Sequence, residues 1–306
     1  MRSDPLGIGI VRDAGFRVVE PEARPDFDYP AWLTAALREA AAEALIIDVR
    51  DDLSLSDLRT TREQTGARIL VLDDVSERRL AADDVFYPPV PQVQELEWPH
   101  FAGRVHVGWD WVALRAEFAA EPRRSRAGRG EVPVVLVSMG GSDPGGLSLL
   151  AARVLPLVTT PIELVLLVGR GFRHDAELAP LLKASPHRTA VVRDGDIHGQ
   201  MLAADLALLS FGVTAYEAAA CALPAILLCL TEDHAASASS MDEAGIAESL
   251  GLAGDVSAAR LAGALDELAA DPARRVEMGR RGRSLVDGRG AARIAEISIG
   301  GSSRTE

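Results

Sequence analysis

The sequence has few cysteines, few aromatic residues and fewer basic than acidic side chains. Its two cysteines, Cys221 and Cys229, lie in apolar segments, so buried reduced thiols are expected, and no zinc-site spacing is present. Aromatic residues make up only 5% of the chain, and 32 basic against 45 acidic side chains give a formal net charge of −13. This composition disfavours a general binder of nucleic acid or of membrane surfaces.

Long apolar runs are missing as well. The start, Met-Arg-Ser-Asp-Pro, is not followed by the apolar core of a signal peptide, and no run approaches the roughly 18 residues of a membrane span. A cytoplasmic protein without a membrane span is therefore expected. With 306 residues, of which 48% are hydrophobic and 25% charged, the chain is long enough for two α/β domains.

The most informative stretch is a buried strand followed by a glycine-rich turn. Residues 134–137 are continuous and β-branched or leucine, which predicts a strand buried on both faces. The turn, residues 138–146, contains four glycines, and Ser142 or Asp143 can cap a helix that begins near Pro144. Such a turn favours an anion such as a diphosphate. A tight strand-to-helix connection without a ligand is the alternative.

A second turn follows a short predicted strand at residues 206–210. Gly212 and Thr214 open the next predicted helix, and Glu217 lies on its first turn. A carboxylate there can accept hydrogen bonds from two vicinal hydroxyls, which suits a ribose beside a phosphate. The alternative is a capping box, because Thr214 and Glu217 have the Thr-x-x-Glu spacing of that motif.

Five motifs, in order along the chain, resemble one family. They are Met139-Gly-Gly-Ser-Asp-Pro144, Met201-Leu-Ala-Ala-Asp-Leu206, Gly212-Val-Thr-Ala-Tyr-Glu217, Leu223-Pro224 and Asp287-Gly-Arg-Gly-Ala-Ala-Arg293. The chain resembles the UDP-sugar hydrolases of pseudaminic acid synthesis and the related spore-coat polysaccharide proteins of the GT-B superfamily. The peptidoglycan N-acetylglucosaminyltransferase is a more distant relative. The resemblance is close over residues 131–298 and looser before them.

The resemblance implies an α/β GT-B fold, with two Rossmann-like parallel-sheet domains facing a cleft. An acceptor-side domain, shortened or atypical, would span residues 1–121, and a UDP-sugar domain residues 131–298. Apolar periodicity stops at residues 121–130, where arginine and glycine accumulate, which predicts a linker. The resemblance also implies a set of donor-binding residues. These are Gly141, Ser142, Gly212, Val213 and Thr214 around the diphosphate, Glu217 on the ribose, the Ile197 backbone near the uracil, and Asp233 beside the sugar. Gly140 and Asp143 of the first turn belong to the same donor-binding set.

The candidate catalytic residues follow predicted strands in the first half of the chain. Alternating predicted helices and strands indicate a parallel sheet, whose ligand crevice lies beyond the carboxyl ends of its strands. Asp48, Arg50, Asp73 and Asp74 are placed at that crevice. Asp74 is the preferred base and Asp73 its competitor, since adjacent residues point in opposite directions. In the alternative interpretation, these strand-end side chains only cap the helices that follow.

The chain departs from the family pattern at two positions. Residues 7–9 have the spacing of the family's Gly-x-Gly-His turn, but Ile10 occupies the histidine position, and residues 16–19 are already predicted as the next strand. Arg50 stands where the family has a tyrosine, and arginine cannot act as a base at neutral pH. His234 is the best-placed histidine, although a lone loop histidine is usually only solvated. Because the donor-binding motifs are kept, these two departures favour a changed acceptor and not a loss of donor binding.

These observations together predict a metal-independent, UDP-sugar-dependent glycosyltransferase acting on a small-molecule acceptor, such as a nucleobase or a metabolite. Its candidate catalytic residues are Asp48, Arg50, Asp74 and His234. No cofactor is expected besides the donor substrate, and no nucleic-acid partner. Hydrolysis with water as acceptor and a non-catalytic UDP-sugar-binding subunit stay open as alternatives. The sequence also leaves the choice between a monomer and a homodimer open.

Overall fold

The structure is a computed structural model that describes residues 5–21, 27–48, 52–122 and 132–300. Contacts divide the chain into two compact units. The first comprises Met1–Tyr87, Leu96–His106 and Ala295–Glu306, and the second comprises Pro88–Glu95 and Val107–Ile294. Arg50 and most of the predicted linker lie outside the described residues. None of the helices in the described ranges combines the length and apolarity needed to cross a bilayer.

The first unit contains a four-stranded sheet, counted over its described residues, in the order β1-β2-β3-β4. Its elements are α1 (Pro5–Asp13), α2 (Tyr29–Glu39), β1 (Ala44–Ile47), α3 (Leu55–Thr65), β2 (Arg68–Leu72), β3 (Asp84–Tyr87) and β4 (Arg104–Val107). Strand β2 pairs in parallel with β1 and with β3. Asp28 caps α2 by accepting a hydrogen bond from the N–H of Ala31 at 3.0 Å. The rings of Phe27 and Trp32 lie 6.0 Å apart across that cap, as in a hydrophobic staple.

The prediction for the first 20 residues was wrong. Residues 7–9, expected to form a turn, lie inside helix α1. Residues 16–19, expected to form a strand, have no strand partner among the described residues, and Phe16 and Val19 are 68% and 47% exposed. An isolated strand is not stable, because its backbone polar groups need a neighbouring strand. The apolar residues of this stretch therefore predicted a strand that the sheet does not accommodate.

The second unit contains a six-stranded parallel sheet in the order β10-β9-β8-β5-β6-β7. Its strands are β5 (Val134–Ser138), β6 (Glu163–Val168), β7 (Arg188–Arg193), β8 (Leu206–Ser210), β9 (Ala225–Cys229) and β10 (Ala247–Leu252). Its helices are α4 (Leu147–Val154), α5 (Asp175–Lys183), α6 (Ile197–Ala203), α7 (Val213–Ala220), α8 (Glu232–Glu243), α9 (Ala258–Ala270) and α10 (Pro272–Leu285). Helix α11 (Gly290–Gly300) belongs to this unit up to Ile294 and to the first unit from Ala295. Every residue of β5 and β9 is buried, as their continuous apolar runs predict.

Residues 107–120 belong to the second unit, whereas the predicted first domain extended to residue 121. Val112, Leu114 and Phe118 are buried in the hydrophobic cluster that covers one face of the second sheet. Their burial there explains the difference, because a segment is held by the core that its apolar side chains enter. A division into two domains that fold separately stays a prediction.

Helices α7 and α10 pack closely through small residues. A Cβ atom at Gly279 would lie 2.2 Å from the carbonyl oxygen of Ala222, while one at Gly263 would meet open space. We expect Gly279→Ala to lower the free energy of unfolding by about 1–3 kcal/mol, because the backbones must separate. We expect Gly263→Ala to raise it by up to about 1 kcal/mol through helix propensity. Urea unfolding measures both changes, and an equal effect of the two substitutions would contradict the close packing.

Candidate functional site

The carboxyl ends of β5 and β8 meet where the chain reverses direction across the sheet. From β5 the chain continues to β6 and β7 on one side, and then returns to β8, β9 and β10 on the other. In parallel register, Ser138 at the end of β5 lies beside Leu209 of β8. Doubly wound sheets bind ligands at such a switch point, beyond the strand ends. The two glycine turns found in the sequence follow these two strands, so the fold places them side by side.

Asp143 acts as a buried cap in the first turn. Its side-chain oxygens accept hydrogen bonds from the N–H groups of Leu147 and Ser148 at 2.8 and 2.9 Å. Asp143 is only 2% exposed, and α4 begins at Leu147, three residues later than Pro144. These bonds satisfy the first N–H groups of α4, which corrects the expectation that the helix offers them to an anion. The exposed Gly141 and Ser142, just before Asp143, are not used by this cap.

Three glycines of the two turns, Gly140, Gly141 and Gly212, lack a side chain for different reasons. Gly140 has a φ of +84°, a conformation that favours glycine. Gly141 and Gly212 have no such φ, and a Cβ atom at either position would meet open space. Packing inside the second unit therefore does not require glycine at these two positions. Their missing side chains leave room at the switch point for a ligand.

Helix α7 begins at Val213 with Gly212 as its N-cap, and the cap makes no side-chain hydrogen bond. A capping box joins the N-cap residue to the third residue of the helix. Thr214 and Glu217 occupy the second and fifth helical positions, so the capping-box alternative is wrong. The N–H groups of Val213 and Thr214 have no acceptor within the helix, as is general for a first turn. Free N–H groups at the positive end of a helix favour an anion, so an anion site at the start of α7 stays a prediction.

Glu217 is a buried carboxylate with basic side chains nearby, Arg115 first among them. It is 8% exposed, and its Oε1 lies 3.3 Å from Nη2 of Arg115. Burial raises the pKa of Glu217, and the guanidinium of Arg115 partly offsets that effect. Arg115 also pairs with Glu117 at 3.0 Å and lies over the ring of Phe118. A desolvated carboxylate next to a specific charge is a functional-site signal. Sequence reasoning missed Arg115, which precedes the glycine turns by more than 20 positions and comes next to Glu217 only in the fold.

Ile197 opens helix α6, which follows the edge strand β7 and leads back to β8. Asp196 caps this helix by accepting hydrogen bonds from the N–H groups of His198 and Gly199 at 3.1 and 3.0 Å. The His198 ring contacts the ring of Phe118, with centroids 5.0 Å apart. The Asp196 side chain bonds to these two N–H groups and not to the N–H of Ile197. The proposed role of the Ile197 backbone beside a base stays a prediction.

Asp233 and His234 lie in the first turn of α8, where a loop was expected. Thr231 caps this helix by accepting a hydrogen bond from the N–H of His234 at 3.2 Å, which explains why the segment is helical. The His234 ring lies 5.8 Å from the ring of Phe211, the residue before Gly212. Its Nδ1 is buried and has no hydrogen-bond partner among the described residues. His234 is thus held by the fold near the second glycine turn.

The strand-end carboxylates of the first unit have different surroundings. Asp48 and Asp73 are exposed after β1 and β2. Asp74 accepts a hydrogen bond from the N–H of Ser76 at 2.7 Å and forms an ion pair with Arg78. Burial opposes the ionisation of Asp74, but the bonds from Ser76 and Arg78 outweigh it, and the pKa of Asp74 is lowered. These contacts favour a structural role for Asp74, and they do not favour the predicted role as a catalytic base.

In the parts of the chain that the structure describes, no group of three or more His, Cys, Asp or Glu side chains could hold a metal ion.

Most of the predicted diphosphate-binding residues of the second unit cluster at the carboxyl ends of two neighbouring strands. Gly140, Gly141 and Ser142 follow β5, while Gly212, Val213 and Thr214 follow β8. The two sets come from separate parts of the sequence, and parallel pairing of β5 with β8 brings them together.

Comparisons with known proteins give the following likenesses. No protein-family model matches the chain. The spore coat polysaccharide biosynthesis protein SpsG of Bacillus subtilis is 22% identical over 278 residues, or 90% of this chain and 81% of SpsG. The crystal structure of MurG from Acinetobacter baumannii is 13% identical, with a TM-score of 0.71, over 95% of this chain and 87% of MurG. HepE of Anabaena, solved in complex with UDP, is 15% identical, with a TM-score of 0.58, over 96% of this chain and 89% of HepE.

Proposed function

Since the chain has the GT-B fold, and resembles the spore-coat polysaccharide proteins and MurG, we propose that it is a glycosyltransferase of GT-B type. In this proposal it transfers a sugar from UDP to a small-molecule acceptor and releases UDP, without a metal ion. The sequence-based prediction of the superfamily and of its α/β architecture is confirmed. The sugar, the acceptor and the choice of transfer over hydrolysis belong to the proposal.

One observation carries the proposal: two turns with room for a ligand lie side by side, next to the buried Glu217. The diphosphate would contact the backbone of Gly141 and Ser142 on one side and the first N–H groups of α7 on the other. Glu217 would accept hydrogen bonds from the two ribose hydroxyls. The UDP in HepE supports the choice of nucleotide, because that protein shares the fold.

The proposed chemistry depends on stabilising the leaving group. A nucleophilic atom of the acceptor attacks C1 of the sugar while the bond from C1 to the diphosphate oxygen breaks. UDP leaves with the electron pair, and a base takes the proton of the acceptor. The N–H groups of Val213 and Thr214 would stabilise the growing negative charge. Asp48 and His234 stay the proposed candidates for the base, whereas the Asp74 carboxylate already accepts a hydrogen bond from Ser76 and pairs with Arg78.

A panel of UDP-sugars, incubated with and without candidate acceptors, tests the proposed function. UDP release that requires an acceptor is the expected result. Release that is independent of acceptors would instead identify a hydrolase, and binding of UDP-sugars without release would identify a non-catalytic subunit. ADP- and GDP-sugars are the matched controls for the nucleotide, and equal release from them would contradict the UDP assignment.

A further inference from the structure

The loop between β6 and α5, residues 169–174, packs directly against the first glycine turn. A Cβ atom at Gly169 would lie 2.6 Å from the carbonyl oxygen of Gly141. One at Gly171 would lie 2.8 Å from Cβ of Ser142. Both distances are shorter than real contacts of this kind, so glycine is needed for the two loops to meet. The backbone proposed to hold the diphosphate thus has a second loop as its immediate neighbour.

A hydrogen bond from His174 joins the same two loops. Its Nε2 lies 3.1 Å from the carbonyl oxygen of Asp143, and since a carbonyl only accepts, the imidazole donates. Asp143 has a φ of +45°, which is uncommon for a residue other than glycine. This bond therefore supports a strained turn. The β6–α5 loop holds the turn in place and brings its own side chains to the carboxyl edge of the sheet.

Two arginines lie in this loop, in a chain whose net charge is −13. Arg173 is committed to the loop itself, because its Nη1 donates to the carbonyl oxygens of Arg170 and Phe172, each at 3.0 Å. The Arg170 guanidinium instead faces Asp194, with Nε 3.5 Å from Oδ2. The two side chains of that pair are 67% and 45% exposed. Exposed ion pairs of this kind contribute little to stability, so another anion can replace Asp194.

We propose that Arg170 binds the diphosphate of UDP and stabilises its charge when the bond to the sugar breaks. The inference rests on the proposed function and assigns one residue to its leaving group. A guanidinium matches phosphate oxygens with two parallel hydrogen bonds, and it stays charged at all relevant pH values. When the electron pair of the C1–O bond moves to the diphosphate, the anion gains charge beside Arg170. The attraction is therefore stronger in the transition state than in the bound donor.

Binding of three ligands by calorimetry tests the assignment without requiring turnover. UDP, UMP and uridine share the nucleoside and differ only in their phosphates. In Arg170→Gln we expect the dissociation constant for UDP to rise about tenfold, that for UMP to rise less, and that for uridine to stay the same. Added salt should reduce the difference between wild type and variant for UDP, because it screens an exposed charge pair. Arg170→Lys should recover part of the lost affinity.

Arg188→Gln is the matched control. Arg188 starts β7, at the opposite end of the strand, and is an exposed arginine, 3.7 Å from Glu163. The Arg188→Gln variant loses the same charge as Arg170→Gln, but its dissociation constants for UDP, UMP and uridine should stay unchanged. Equal losses of affinity for UDP and uridine in Arg170→Gln would show a distorted loop. An unchanged affinity for UDP would show that Arg170 does not touch the diphosphate. Either result would overturn the assignment of Arg170 but not the proposed function. A wild-type protein that does not bind UDP would overturn the assignment and the proposed function together.

Discussion

Replacing Glu217 with alanine is expected to raise the dissociation constant for UDP by about 10- to 150-fold. Hydrogen bonds to a charged acceptor contribute about 1.5–3 kcal/mol, which corresponds to that range. Glu217 is buried next to the proposed diphosphate turn and lies on the helix that supplies its N–H groups. Its surroundings are desolvated, so the lost bonds are not replaced by water at the same strength. Calorimetric titration of UDP into the variant measures the change.

Glu117→Ala is the control for Glu217→Ala, because Glu117 pairs with the same Arg115 but is exposed. It should leave the affinity for UDP unchanged. A second comparison uses 2′-deoxy-UDP, which lacks one of the two hydroxyls. Wild type should bind it more weakly than UDP, while Glu217→Ala should bind the two ligands equally, as expected for a lost pairwise interaction. An unchanged UDP affinity in Glu217→Ala would remove the ribose assignment.

Asp74→Asn is expected to lower the free energy of unfolding by about 3 kcal/mol at neutral pH. The substitution removes the negative charge that pairs with Arg78, in surroundings with little water, because the side chains of Asp74 and Arg78 are only 9% and 4% exposed. The pKa of Asp74 is lowered in the folded state. Its stabilisation is therefore present above the unfolded pKa, about 3.9, and is lost as the pH falls through the folded value. Urea unfolding at pH 7 and under acidic conditions measures both effects.

Asp48→Asn is the matched control for Asp74→Asn, since Asp48 is an exposed carboxylate at the end of the neighbouring strand. Its free energy of unfolding should change by no more than about 0.5 kcal/mol. Acceptor-dependent UDP release by Asp74→Asn should follow the fraction of folded protein. A large loss of turnover in Asp74→Asn with an unchanged free energy of unfolding would restore the catalytic role that the sequence suggested.

Local patterns in the sequence were sufficient to predict the two strands that precede the glycine turns of the second unit. The strand at residues 206–210 was predicted with the bounds that the structure has, because a continuous apolar run between turn residues is a local signal. The same reasoning failed at residues 16–19, where apolar residues without a strand partner are exposed. It also failed to decide whether Glu217 belonged to a capping box, because that depends on where α7 begins.

The sequence by itself determined the alternation of strands and helices, the two glycine turns and the resemblance to the GT-B proteins. These features depend on residues that are close in the chain. Only the tertiary structure decided which of them meet: β5 pairs with β8, and the register partners Val135 and Leu206 are 71 positions apart in the chain. It also joined Arg115 to Glu217, which are 102 positions apart. Such contacts depend on the order of strands in the sheet, which no local pattern of residues encodes.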